Sequence, residues 1–298
     1  MYVPTPAWPD SPDARFHEAD VPLRYEDIAQ DGRLMVAPIA ALYGDVVWRG
    51  LADQGPVAAT ARAQGIVPIL TRLVLTGGGG PFRPDVPLHV AGAYDLAHSV
   101  DRAGEVDRLY LRMWARARGR TGHAYEQLTS AALGAEMEAG HAYAEHVFTR
   151  LFAERSERRV VRLDLPGMPP VPPAVFAPPP PDALLAPPAG AISLIHATDS
   201  LGFSLGHTDS NQHVNSLVYP RLFEEVVMRQ LRVLGRSTVR LVRHADMAYR
   251  KPFFAGDEAS VSVSLWEAGE HLVATGTFAP PGVAGAAVRP SVYVRLVL

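Results

Sequence analysis

Between His207 and Leu231 the chain reads HTDSNQHVNSLVYPRLFEEVVMRQL. Four side chains able to do chemistry stand at alternating positions in it: Asp209, Asn211, His213 and Asn215. A carboxylate can act as general base on water, or attack a carbonyl directly to give a mixed anhydride. An amide offers donor and acceptor together and can orient that water. An imidazole titrates near neutrality, so it can share base duty or protonate a departing group. Asp and Asn also favour helix N-caps, where unpaired N–H groups and partial positive charge attract an oxyanion. Taken singly, these residues read as a cap, two turn formers and a buried histidine. Taken together they predict a site at a helix start, with amides near Val214 to Leu217 as oxyanion donors worth about 3–4 kcal/mol each.

The elements that must position this cluster follow from periodicity. Leu217, Val218, Leu222, Phe223, Val226, Val227 and Leu231 make a wide apolar helical face that runs on from the cluster and stops at Gly235. Strands are predicted on both sides, at Ala191–Ala197 and Leu201–Leu205 before it and at Thr238–Arg250, Ala259–Trp266, Leu272–Phe278 and Ser291–Leu298 after it. Earlier in the chain Val21–Tyr25 reads as a short strand and Pro38–Gln54 as a helix stopped by Gly55-Pro56. Ile66–Thr76, His89–Val100 and Val106–Arg118 read as strands, residues 123–140 as a short helical insertion, and His141–Glu154 as either strand or helix. Residues 166–188, PGMPPVPPAVFAPPPPDALLAPP, are too rich in proline for a helix or a central strand and favour extended polyproline II. At about 3.1 Å per residue they can cross a whole domain. The organisation expected is an N-terminal arm over residues 1–20, a first domain over 21–165, a linker over 166–190 and a second domain over 191–298.

The two halves share one order of elements. Sliding the chain by 180 residues lays Asp45-Val46-Val47-Trp48-Arg49-Gly50-Leu51 on Glu225-Val226-Val227-Met228-Arg229-Gln230-Leu231, with four positions identical. On that register Asp209 lies over Ala29, Asn211 over Asp31, His213 over Arg33 and Asn215 over Met35. The scaffold repeats and the reactive cluster does not, so one copy reads as active and its twin as structural.

Composition narrows the chemistry. A charged content of 20% and a formal net charge of −3 describe a globular chain without general attraction to nucleic acid or anionic membrane. No cysteine is present, which removes disulfides, thiolate metal sites and a cysteine nucleophile, and fits a cytoplasmic setting. Neither a secretory signal nor an 18-residue apolar run is found. No metal is expected, since His141 and His146 are out of step with a helix face and no His-Glu-x-x-His occurs. The run Gly77–Gly80 lacks the Lys-Ser/Thr of a phosphate loop. Gly202-Phe203-Ser204-Leu205-Gly206 matches a nucleophile elbow, but turn-like residues follow it in place of a helix.

The sequence Asp209-x-Asn211-Gln212-His213-Val214-Asn215, with Tyr219 and the acid Glu225 beyond it, resembles the hotdog-fold thioesterases. Among them it is most similar to the acyl-ACP thioesterases, which carry two hotdog units in one chain. Tyr249-Arg250-Lys251 followed by Gly256-Asp257 is similar to that family's next strand and turn. The resemblance implies an α+β fold of two tandem hotdog domains, each a long central helix wrapped by an antiparallel sheet. It implies a hydrolase acting on an acyl thioester of CoA or of an acyl-carrier protein, without a cofactor, as a compact monomer or a homodimer of such units. Asp209, Asn211 and His213 would be catalytic, and Asn215, Tyr219, Arg250 and Lys251 would bind substrate. Where the family places an acid beside a cysteine, this chain has Pro252 and Phe253. Two other readings follow from that departure: a dehydratase or isomerase of acyl thioesters, and a non-catalytic acyl-binding protein.

Overall fold

In the computed structural model, described over residues 2–10, 15–42, 44–52, 55–122, 134–282 and 289–298, the organising element is one antiparallel sheet. Its strands are β1 (Arg15–Val21), β2 (Ile66–Gly77), β3 (Leu88–Val100), β4 (Val106–Arg120), β5 (Glu136–Arg150), β6 (Ala174–Val175), β7 (Ile192–Gly202), β8 (His244–Tyr249), β9 (Glu258–Ala268), β10 (His271–Ala279) and β11 (Val292–Val297). The order is β1-β3-β4-β5-β2-β8-β11-β10-β9-β7, with β6 paired in parallel to the far side of β3. Read from either end the order is the same pattern, so the repeat seen in sequence is a repeat of strand topology. The halves join where β2 meets β8, from Arg72 opposite Ala248 to Thr76 opposite His244.

Among the described residues, four α-helical segments accompany the sheet: α1 (Val36–Ile39), α2 (Arg49–Ala52), α3 (Gly55–Ala63) and α4 (Val218–Val233). The α4 helix matches its predicted span and buries Phe223, Val226, Val227 and Leu231 in the same apolar core as Val261, Val263 and Leu265. It lies close to β10 because Gly276 has no side chain there; a Cβ would strike the Ser262 carbonyl oxygen and come within 2.7 Å of the Phe223 ring.

The first-half helix departs from expectation. The single run Pro38–Gln54 is broken into α1, a π turn over Gly44–Trp48 and α2. Gly55-Pro56 opens α3 instead of stopping a helix, because the first turn of a helix is where proline's missing N–H costs nothing. The 180-residue register survives: Val46 and Val47 are buried as Val226 and Val227 are.

Further differences concern boundaries. The first strand starts at Arg15, and Tyr25–Asp27 is a 3-10 turn. Residues 123–133 of the expected helical insertion lie outside the described residues, and Glu136–Gly140 belongs to β5. His141–Glu154 resolves largely as strand, since β5 needs the pairing of both β4 and β2. Ala191–Leu205 holds one strand where one or two were expected.

The sheet face away from α4 carries charge. Asp95, Arg112, Glu145 and Arg72 stand opposite one another in register across β3, β4, β5 and β2. Arg112 binds Asp95 in a fork of 2.6 and 2.8 Å, and Arg72 binds Asp246 across the joint between halves at 2.7 and 3.0 Å. Two irregular segments cover this row. The arm gives its Val3 and Pro4 carbonyls to Arg72 and its Pro6 carbonyl to Trp114. The proline-rich connector lays Phe176 by Tyr110 and Leu184 by Tyr293, and its Leu184 and Ala186 carbonyls accept from Arg295.

Two buried histidines make the fold acid-sensitive. Burial lowers the pKa of His146 to about 4, and burial with nearby positive charge lowers that of His244 to about 3. Both stay neutral in the folded chain, while the unfolded chain protonates them near pH 6.5. Their stabilisation is complete above pH 6.5 and is lost as pH falls toward 4, at up to about 1.4 kcal/mol per pH unit for each. Chemical denaturation between pH 7 and 4 should show a shallower pH slope in His146→Gln than in the parent chain; equal slopes would refute the assignment.

Candidate active site

Asp209, Asn211, His213 and Asn215 converge on one tight turn ahead of α4. A 3-10 turn over Leu205–His207 leads in, and an isolated bridge between Thr208 and Val214 closes the base. Asp209 N–H donates to the His213 carbonyl at 3.1 Å and Gln212 N–H to the Asp209 carbonyl at 2.9 Å. Gln212 sits at φ 65, a left-handed conformation uncommon for a residue other than glycine. Its counterpart is Gly32, at φ 79.

The first-half turn repeats the bonds within this turn. Ala29 donates to Arg33, Gly32 to Ala29 and Met35 to Asp27, as Asp209 does to His213, Gln212 to Asp209 and Asn215 to His207. The bridge Ile28–Leu34 matches Thr208–Val214. Two turns with the same internal bonds thus carry different side chains.

The carboxylate of Asp209 is the hub of the second turn. Its Oδ1 accepts from Asn211 N–H at 2.8 Å and its Oδ2 from Asn215 Nδ2 at 3.1 Å. Each oxygen has two lone pairs, so both keep capacity for a water. The Asn211 side chain is exposed and Asp209 and His213 are half-buried. His213 Nδ1 lies 3.4 Å from the Val214 carbonyl, a contact that selects the Nδ1–H tautomer and leaves Nε2 to take up a proton.

Two expectations are corrected. The helix does not open from the cluster: α4 starts at Val218, and Asn215 closes an Asx turn ahead of it, its Oδ1 accepting from Leu217 N–H at 2.9 Å. The amides of 214–217 are also mostly spent, Val214 on the Phe253 carbonyl, Asn215 on that of His207 and Leu217 on Asn215. Only Ser216 N–H lacks a partner among the described residues. The turn folds back on its own carbonyls before the helix begins, which the shared N-cap preference of Asp and Asn could not reveal.

The remaining candidates are more scattered. Tyr219 is buried, and its hydroxyl accepts from Phe253 N–H at 3.3 Å. Burial pushes its pKa up to about 12. Phe253, standing where the family pattern has an acid or cysteine, packs on Phe203 and gives its carbonyl to Val214. Arg250 and Lys251 both direct backbone N–H groups at the Ser291 carbonyl. Lys251 borders a small cavity of about 260 Å³ with Asp257 and Glu258. Sequence reasoning missed a cavity of about 820 Å³ between the first-half turn and α4, which holds Glu224. No spacing signal marks it, because the residues that meet there lie nearly 200 positions apart.

No helix among the described residues is long and apolar enough to cross a membrane, and no cluster of three His, Asp or Glu residues able to hold a metal is found among them. No family model matches the chain, and no curated protein matches it. Solved structures do. A protein of Lactobacillus plantarum assigned as an oleoyl thioesterase aligns over 96% of each chain at 14% identity, with a TM-score of 0.61. A 12:0-ACP thioesterase of Umbellularia californica aligns over 94% of this chain and 96% of its own at 10% identity and TM-score 0.52. An acyl-ACP thioesterase of Bacteroides thetaiotaomicron aligns over 96% and 97% at 14% identity and TM-score 0.50. The chain shares the fold of these proteins along nearly its whole length, in line with the resemblance carried by its motif.

Proposed function

We propose that this protein hydrolyses an acyl thioester, carried on CoA or on an acyl-carrier protein, at the turn of Asp209, Asn211 and His213. The reading includes two tandem hotdog units, at 21–165 and 191–298, joined by the connector at 166–190, in a cytoplasmic protein. The observation that carries it is the pair of matching turns. The same backbone occurs twice, and a carboxylate, an exposed amide and an imidazole with a free Nε2 occur together only at the second.

In this scheme Asn211 holds a water whose proton passes to Asp209 or His213 as its oxygen bonds to the thioester carbon. Ser216 N–H is the one amide left to meet the resulting oxyanion. The carbon–sulfur bond then breaks, and whichever of Asp209 and His213 took the proton from water returns it to the thiolate. Arg250 and Lys251, just ahead of the Phe253 whose carbonyl binds Val214 of the turn, would meet pantetheine phosphate or an acidic carrier. Asn215 keeps Asp209 and the helix start in register, and Tyr219 supports the turn from beneath.

A panel of acyl-CoA and acyl-carrier thioesters, followed for free thiol and for acyl structure, tests this. Thiol release with an unaltered acyl chain is expected. Altered chains without thiol release would replace hydrolysis with dehydration or isomerisation. Binding without either change would leave an acyl-binding protein, the reading favoured by Phe253 in the acid's place.

A further inference from the structure

The first-half turn lacks the reactive side chains of its twin, yet the 820 Å³ cavity lies between it and α4. That volume falls within the range of small-molecule sites. Its apolar lining includes Met35, Val36 and Pro38 from the first half, and Met228 and Val242 from the second. The charges around it do not balance. Arg24 is held by Asp27 at 2.6 and 3.0 Å, and Arg229 by Asp199 at 2.7 Å. Arg221 is exposed and makes no ion pair among the described residues, although it is one turn from Glu224. Glu224 and Glu225 have no cationic partner among those residues either. Glu224 is half-buried, and burial together with the adjacent Glu225 raises its pKa.

These facts constrain an occupant. An apolar molecule would displace the water that still reaches Glu224 and offer the carboxylate nothing in exchange. An anionic head group would meet two carboxylates, with only the exposed Arg221 to oppose them. A cationic donor attached to an apolar body satisfies both the carboxylate and the lining.

We propose that this cavity is a binding site for amphipathic amines, with Glu224 as counter-ion to the ammonium and the apolar body over Met35, Val36 and Met228. It is distinct from the Asp209 turn and does not depend on thioester hydrolysis there.

Calorimetric titration of the full chain with octylammonium, octanol and octanoate tests the assignment. One octylammonium per chain is expected, at least about tenfold tighter than either other probe. Glu224→Gln should bring octylammonium to the level of octanol and leave octanol unchanged. Met228→Trp, shown to be folded by its circular dichroism, should abolish octylammonium binding by filling the space. Octanol or octanoate binding as tightly as octylammonium, indifference of Glu224→Gln, or full binding by Met228→Trp would each overturn the proposal. None of these readouts involves turnover, so failure here leaves the thioesterase reading untouched.

Discussion

Asp209→Asn is expected to lower thioester hydrolysis by about 10²–10⁴-fold while costing no more than about 1.5 kcal/mol of stability. The two numbers separate because Asp209 has two duties. As a hydrogen-bond acceptor it organises the turn, through Asn211 N–H and Asn215 Nδ2. An asparagine keeps one of those bonds through its own carbonyl oxygen and also favours the Asx turn. As a charge it would take the proton from water, and an amide cannot. A parallel Asn215→Ala removes the tie to Asp209 and the bond to Leu217 N–H, so it should lower stability and activity together. Steady-state rates beside urea denaturation of both variants make the distinction. Full activity in Asp209→Asn would remove the carboxylate from the mechanism and leave His213 as the only base.

Asp246→Ala is expected to destabilise the chain by about 3–5 kcal/mol, a fall of roughly 5–15 °C in melting temperature. Asp246 is fully buried and neutralises Arg72 through two bonds across the β2–β8 joint. Without it the guanidinium keeps only Glu145 at 3.5 Å and two carbonyls of the arm. A buried cation short of its partner is the costly state, more than the loss of the pair itself. Removing both charges, as Arg72→Met with Asp246→Ala, should therefore recover a good part of the loss. Thermal unfolding of the parent, single and double variants reads this directly. A single variant as stable as the parent would mean that the joint is held by its backbone pairing alone.

The arm and the connector owe their courses to the same charges. Nothing in VPTP or in the proline-rich run specifies a docking site on a sheet. Carbonyls that proline leaves free of regular structure are suitable acceptors for Arg72 and Arg295. Within the proline-rich run the short β6 and the 3-10 turn at Pro181–Leu185 appear because Phe176 and Leu184 find apolar ground beside Tyr110 and Tyr293.

By itself the sequence determined most of the strands, though not β1 or β5, because alternating and β-branched runs leave few other ways to bury one face, and it determined α4 through its unbroken apolar stripe. It also determined the repeat, and with it the uniqueness of Asp209, Asn211, His213 and Asn215. Tertiary structure decided matters in which distant backbone competes for the same groups. The first-half helix breaks at a π turn. The amides expected for an oxyanion are taken by Phe253 and His207. Asn215, not Asp209, bonds Leu217 at the entry to α4. The cavity at Glu224 exists only because the first-half turn stands opposite that helix. Local spacing lists which donors and acceptors a turn holds, and the packed fold allots them to partners.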